Sequence, residues 1–152
     1  MRLLGVDFGH VRIGLAVSDM DCKIASPLAT YERRSAEQDA RYFQHLIKEE
    51  QIGGLIVGLP VHVDGREGVK AAEARKFGTW LASVTKLPAT YWDERFTTVE
   101  AEGFLLGAGM TNKRRKQRRD RVAAQILLQS YLEAGCPESP QFRSLDEPSA
   151  PV

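Results

Sequence analysis

The spacing of apolar positions changes period along the chain. Over the first third it is strand-like. Leu3, Leu4, Gly5 and Val6 form a short apolar run stopped by Asp7, Phe8 and Gly9. Residues 11–18 predict a second strand with Gly14 inside it, and the short turn at Gly9 and His10 pairs the two as a hairpin. A third strand is expected over residues 25–31, with Pro27 constraining its pairing. Helical spacing then takes over. Ser35 and Gln38 have the separation of a capping box, and Ala40, Phe43, Leu46 and Ile47 follow on one helical face. Gly53 and Gly54 are expected to end that helix. Leu55, Ile56 and Val57 then form a continuous apolar strand closed by Gly58, Leu59 and Pro60. A strand apolar on both sides lies inside a sheet, with helices above and below.

A second helix is predicted over residues 68–85, with Ala71, Ala74, Phe77 and Leu81 in its buried stripe. Residues 88–92 read as a further strand, ending at Asp93, Glu94 and Arg95. Thr97 and Glu100 repeat the capping-box spacing and begin a helix that Gly107 and Gly109 close. Residues 122–132 predict a last, strongly apolar helix. The order β-β-β-α-β-α-β-α-α points to an α/β fold. Its mixed five-stranded sheet joins a three-strand antiparallel meander to parallel strands, with helices on both faces. From Gly135 onward the chain carries four prolines and few core-type residues. Residues 1–134 are therefore expected to form the folded domain, and residues 135–152 a flexible Pro/Ser-rich C-terminal tail.

Composition narrows the class. A chain of 152 residues suits one domain, and 43% hydrophobic against 27% charged residues supports a core and excludes global disorder. No apolar run approaches the roughly 20 residues of a membrane helix, and the N-terminus lacks the apolar stretch of a secretory signal. Cys22 and Cys136 form no CxxC or zinc spacing, so a reduced, cytoplasmic setting without membrane contact is expected. The net charge of +1 conceals an asymmetry. Residues 113–121 read KRRKQRRDR and carry +6, which leaves −5 for the remainder. A charge run is by default a solvated surface. Yet cations at a helix N-terminus oppose the helix dipole, and a chain that keeps them there has a use for them, holding phosphates.

Acidic residues fall at element ends. Asp7 closes the first strand, Asp93 and Glu94 close the last, and Asp120 opens the final helix. Asp120 shares a helical face with Ala123, Ala124, Leu127, Leu128 and Tyr131, so it should point toward the strand ends. Converging carboxylates repel by about 4 kcal/mol per pair at 4 Å and an effective dielectric near 20. A cation or a retained proton offsets that. Hard oxygen ligands suit Mg²⁺ or Mn²⁺, and such ions activate water for phosphodiester cleavage. The structural alternative is that each acid is a turn residue or a helix cap. Taken singly, each acid favours that alternative. Together, at the ends of a parallel-type sheet, the two readings are near even.

The segments GVDFGHVRIGLAVSD, IVGLPVHVDG, YWDERFTTVEAE and DRVAAQILLQSYL, in this order, resemble the YqgF/RuvX family. The resemblance spans about residues 1–134. It implies a ribonuclease H-like fold and a metal-dependent nuclease, a hydrolase of phosphodiester bonds. It further implies 5′-end processing of pre-16S ribosomal RNA in ribosome biogenesis, or Holliday junction resolution in DNA recombination and repair. The catalytic acids it implies are Asp7, Glu94 and Asp120; these three and Asp93, substituting for or supporting Glu94, are the expected metal ligands, with Mg²⁺ or Mn²⁺ as the cofactor. Nucleic-acid phosphates would then be held by Arg12, Arg95, Lys113, Arg114, Arg115, Lys116, Arg118 and Arg119. A resolvase cutting two symmetric strands is expected to be a homodimer.

Two other readings stand beside this one. The hairpin at Asp7, Phe8 and Gly9 also resembles the first phosphate loop of actin-like ATPases and sugar kinases. Those need two such domains, and this length supplies one. The domain could instead bind ribosomal RNA as an assembly factor without cleaving it, its acids serving structure alone.

Overall fold

A computed structural model describes residues 1–61, 65–94 and 111–137. Five strands form one sheet: β1 (Arg2–Asp7), β2 (Arg12–Ser18), β3 (Ala25–Glu32), β4 (Ile52–Leu59) and β5 (Ala89–Asp93). Their order across the sheet is β3-β2-β1-β4-β5. The first three pair antiparallel, while β4 joins β1, and β5 joins β4, in parallel. This is the mixed sheet expected from the apolar pattern. The described helices are α1 (Ala36–Glu49), α2 (Val69–Thr85) and α3 (Asn112–Glu133).

Strand alternation assigns the two faces. Leu4, Val6, Ile13, Leu15, Leu55 and Val57 point to one side, where they pack with Phe43 and Leu46 of α1 and Phe77 and Leu81 of α2. Ala16, Ile56 and Trp92 point to the other and meet Ala124, Leu127, Leu128 and Tyr131 of α3. Glutamines fasten α3 to the sheet margin. Gln129 Oε1 accepts from the Ala25 amide at 2.8 Å, and Gln125 Nε2 donates to the Ala25 carbonyl at 3.1 Å. Ser35 caps α1 through the reciprocal bonds with Gln38 that their spacing implied.

Two boundaries differ from expectation. Gly53 and Gly54 lie inside β4 rather than ending α1. The helix stops at Glu49, and Gln51 turns the chain with a φ of 55°. Pairing with β1 from Arg2↔Ile52 onward draws both glycines into the strand. The last helix begins ten residues before position 122. Thr111 caps it by accepting from the Arg114 amide at 3.3 Å, and lysine and arginine are good helix formers, so the basic run is helical. Asp120 is therefore within the helix and not at its start, while its inward phase is retained. The expected helix beginning at Thr97, with its closing Gly107 and Gly109, lies outside the described residues. So do Arg95, His62 and residues 138–152 of the expected tail. Among the described residues, no helix is long and apolar enough to cross a membrane.

Candidate active site

The strands deliver acids to one edge of the α3 face. Alternation carries Leu3, Gly5 and Asp7 to that face of β1, and Trp92 sends Glu94, two residues on, to the same side. Asp7 and Glu94 are hydrogen-bonded side chain to side chain. Burial, the Glu94 charge, the Glu94 hydrogen bond and the Asp120 charge, in that order, hold the Asp7 carboxyl well above the usual carboxylate range. Glu94 is raised too, first by burial. Its hydrogen bond to Asp7 offsets part of that, the Asp93 charge adds to it, and the Lys70 ammonium opposes it. Two carboxyls joined by a hydrogen bond hold one proton between them, and it belongs to the pair.

Asp120 arrives from above. Its Oδ2 accepts a charge-assisted bond from Arg12 Nε at 2.7 Å. Two glycines make this convergence physically feasible. Asp7 pairs with Gly14, where an added Cβ would stand 1.9 Å from the Asp120 carbonyl oxygen. At Gly58, a Cβ would stand 2.6 Å from Glu94 Oε1 and 2.9 Å from Leu127 Cδ2. A side chain at either position would push the helix or the carboxylate away.

Asp93 goes elsewhere. It is fully buried, pairs in register with Leu59, and by alternation lies on the α2 side with Tyr91. The structure does not bring it beside Asp7 on the α3 face. Arg12, expected on phosphate, is engaged with Asp120. The basic side chains of α3 are spread around its first two turns: Lys113, Arg114, Lys116 and Arg119 are exposed, and Arg115 and Arg118 are half-buried. Lys113 lies 3.6 Å from Glu32 at the sheet margin.

Asp7 and Glu94 line a cleft of about 610 Å³ whose far wall is the start of α2, with Val69 and Lys70. His10, Lys70 and Glu73 carry no ligand motif in the sequence. His10 Nε2 lies 2.7 Å from Glu73 Oε2 on the cleft rim, and Lys70 faces the carboxylate pair. The signal that would have found Lys70 is its place in the first turn of a helix entered through Gly68.

Among the described residues, no three His, Cys, Asp or Glu side chains are gathered closely enough to hold a metal ion as they stand. The donor chemistry nonetheless suits a hard divalent cation. Asp7 and Glu94 are half-buried oxygen donors sharing a proton that a cation would replace, and Asp120 is a third carboxylate paired with Arg12.

Comparison with known proteins places the chain in a family. A curated relative from Rhodopirellula baltica, named "Putative pre-16S rRNA nuclease", is 50% identical over 133 residues, covering 88% of this chain and 77% of its own. A protein of the same name from Caldanaerobacter subterraneus subsp. tengcongensis is 39% identical over 135 residues, covering 88% and 97%. Among solved structures, Thermus thermophilus RuvC in complex with Holliday junction substrate superposes with a TM-score of 0.53 at 11% identity, covering 91% of this chain and 98% of that one. Fowlpox virus resolvase, solved with Holliday junction DNA, gives 0.52 at 13% identity, covering 90% and 100%. At such identities these structures establish the ribonuclease H-like fold alone. The family model described as "RuvX: Holliday junction resolvase" matches residues 1–134, and the chain belongs to that family.

Proposed function

We propose that this chain is a divalent-metal-dependent endonuclease that hydrolyses phosphodiester bonds of structured RNA, at the 5′ end of precursor 16S ribosomal RNA. The observation that carries this is the proton-sharing pair Asp7 and Glu94 at the end of the sheet, with Asp120 held above it by Arg12. Carboxylates crowded together are costly to a fold, and Asp7 and Glu94 line an open cleft where a phosphate can reach them. The relatives' names favour ribosomal RNA precursor over other substrates.

Asp7, Glu94 and Asp120 would hold the cation, Mg²⁺ by preference and Mn²⁺ as a substitute. When bound, the cation supplies Lewis acidity at the scissile phosphate and lowers the pKa of the attacking water. Glu94, once it gives up the proton it shares with Asp7, would also orient the attacking water. Lys70, in the first turn of α2, places a positive charge and the helix N-terminus at the phosphate. The exposed cations Lys113, Arg114, Lys116 and Arg119, with the half-buried Arg115 and Arg118, bind the flanking backbone. Arg95 is assigned to the same task from its place beside Glu94 in the sequence. Asp93 supports Glu94 through its charge, from the opposite face of β5. Such an enzyme works in the cytoplasm.

The family model's own description favours a second reading, in which the chain resolves four-way DNA junctions as a homodimer. One experiment separates the two. The purified chain and Asp7→Asn are incubated with precursor 16S ribosomal RNA and with a four-way DNA junction, each with Mg²⁺, Mn²⁺ or EDTA. Cation-dependent cutting of the RNA, absent in Asp7→Asn, is expected. Cutting of the junction alone, by a dimer, would establish the second reading.

A further inference from the structure

A second cleft opens beside the carboxylate pair. It has a volume of about 450 Å³ and shares Phe8, His10 and Glu73 with the catalytic cleft. We propose that it is a subsite for an unpaired nucleobase of a nucleotide flanking the cleaved phosphate, a proposal that rests on the nuclease reading.

The chain itself sets this geometry. Phe8 follows Asp7 directly, and alternation turns neighbouring side chains to opposite faces of the sheet. A nucleotide whose phosphate lies at Asp7 therefore has an aromatic ring on the far side of the same strand end. Phe8 stacks on Phe77 with centroids 4.8 Å apart, and Phe77 lies 5.5 Å from Trp80. Phe77 is buried core, but Phe8 and Trp80 are only partly covered and border open space. Their rings stand at the edge of the cleft.

Cations distinguish the cleft from an apolar groove. The Arg33 guanidinium sits 5.5 Å from the Phe8 centroid and 5.3 Å from the Phe77 centroid. Asp39 Oδ2 lies 3.6 Å from Arg33 Nε and steadies it. A guanidinium stacked on rings keeps in-plane N–H groups for a base edge. Lys76, exposed on α2, adds a charge that a phosphate could meet. The hydrogen bond between His10 and Glu73 stands on the wall common to both clefts, so a strand passing between them crosses it. Aromatic rings, a stacked arginine and a nearby phosphate site together match a base with its backbone. An apolar peptide would use the rings alone and offer nothing to the exposed Lys76.

The test measures binding rather than cleavage. Asp7→Asn, without divalent ions, is titrated with a single-stranded RNA tetranucleotide and with versions lacking one base at each position in turn. Removal of one particular base is expected to weaken binding by about five- to a hundredfold, the range of one base–aromatic stack. Trp80→Ala should weaken the intact ligand comparably and abolish that base's penalty. Tryptophan fluorescence should be quenched on binding, and the quench should vanish in Trp80→Phe. Should Trp80→Ala fail to fold, the base-removal series and the Trp80→Phe quench decide alone. Equal binding of all the ligands, or a base penalty unchanged by Trp80→Ala, would overturn the subsite. Base-selective binding by a wild-type chain that cleaves no nucleic acid would overturn the nuclease reading and leave the subsite standing. Cleavage indifferent to base removal throughout the tetranucleotide would do the reverse.

Discussion

The two faces of the sheet are built from the same strands and do opposite things. On the α1–α2 face, Val6, Ile13 and Val57 are fully buried aliphatic residues. Their immediate neighbours on the α3 face are Asp7, Gly14 and Gly58, an acid and two residues with no side chain. One face gains stability from apolar area. The other also packs a core, from Ala16 and Ile56 to Leu127 and Leu128, but gives up area at the strand ends so that Asp120 and Glu94 can approach Asp7. Chemistry and stability are thus separated by a single step along each strand, because strand side chains alternate. Substitutions one residue apart should fail in different ways.

The largest contrast is between Asp7→Asn and Leu15→Ala. The first should lower cleavage by at least about a hundredfold, as removal of a group acting on the reacting centre does, with no loss of thermal stability. Leu15 has no exposed surface, and its truncation should cost about 2–5 kcal/mol in denaturant unfolding while the remaining folded protein keeps its cleavage rate. Equal loss of both properties in either variant would erase the distinction between the faces.

Gly14→Ala comes next, because it should damage both. Its Cβ would stand 1.9 Å from the Asp120 carbonyl, so α3 must shift. Overpacking of this kind costs about 1–3 kcal/mol and should move Asp120 off Arg12. Urea unfolding and cleavage assays on the same preparation check both effects.

The proton shared by Asp7 and Glu94 gives a pH signature. Both carboxyls titrate above their ordinary range in the fold. The folded chain therefore holds a proton that the unfolded chain has already released, and stability must fall as pH rises through that interval. Melting temperatures of the metal-free protein should decline from the ordinary carboxylate range up through the raised one, relative to Asp7→Asn. Added Mg²⁺ should reduce the decline.

The smallest expected effect belongs to α3. Lys116→Ala and Arg119→Ala, both at exposed positions, should each weaken RNA binding and lower the salt dependence by about one phosphate contact. Thermal stability should change little. Unaltered salt slopes would confine the helix's basic charge to solubility.

Much of this arrangement was legible in the residues. Alternation in the first strands placed Asp7 at a strand end, and the 3.6-residue phase of Ala124, Leu127 and Tyr131 turned Asp120 inward. The start of that helix was not legible, since a charged run without apolar periodicity looks alike in a loop and in a helix; the Thr111 cap and helix propensity decided it. Nor was the purpose of Gly58 visible. It depends on Glu94 and Leu127, which are far away in sequence. Lys70 was missed for the same reason: its meaning comes from the cleft opposite the start of α2. The acids of the resemblance, by contrast, needed only their order along the chain.

Calorimetric titration of Mg²⁺ into the metal-free protein, in buffers of differing ionisation enthalpy, tests the carboxylate pair most directly. Wild-type protein should bind the ion and release about one proton as the cation replaces the one that Asp7 and Glu94 share, and Asp7→Asn should bind far more weakly. Equal binding by the two proteins, or no binding by either, would contradict a metal site at this pair.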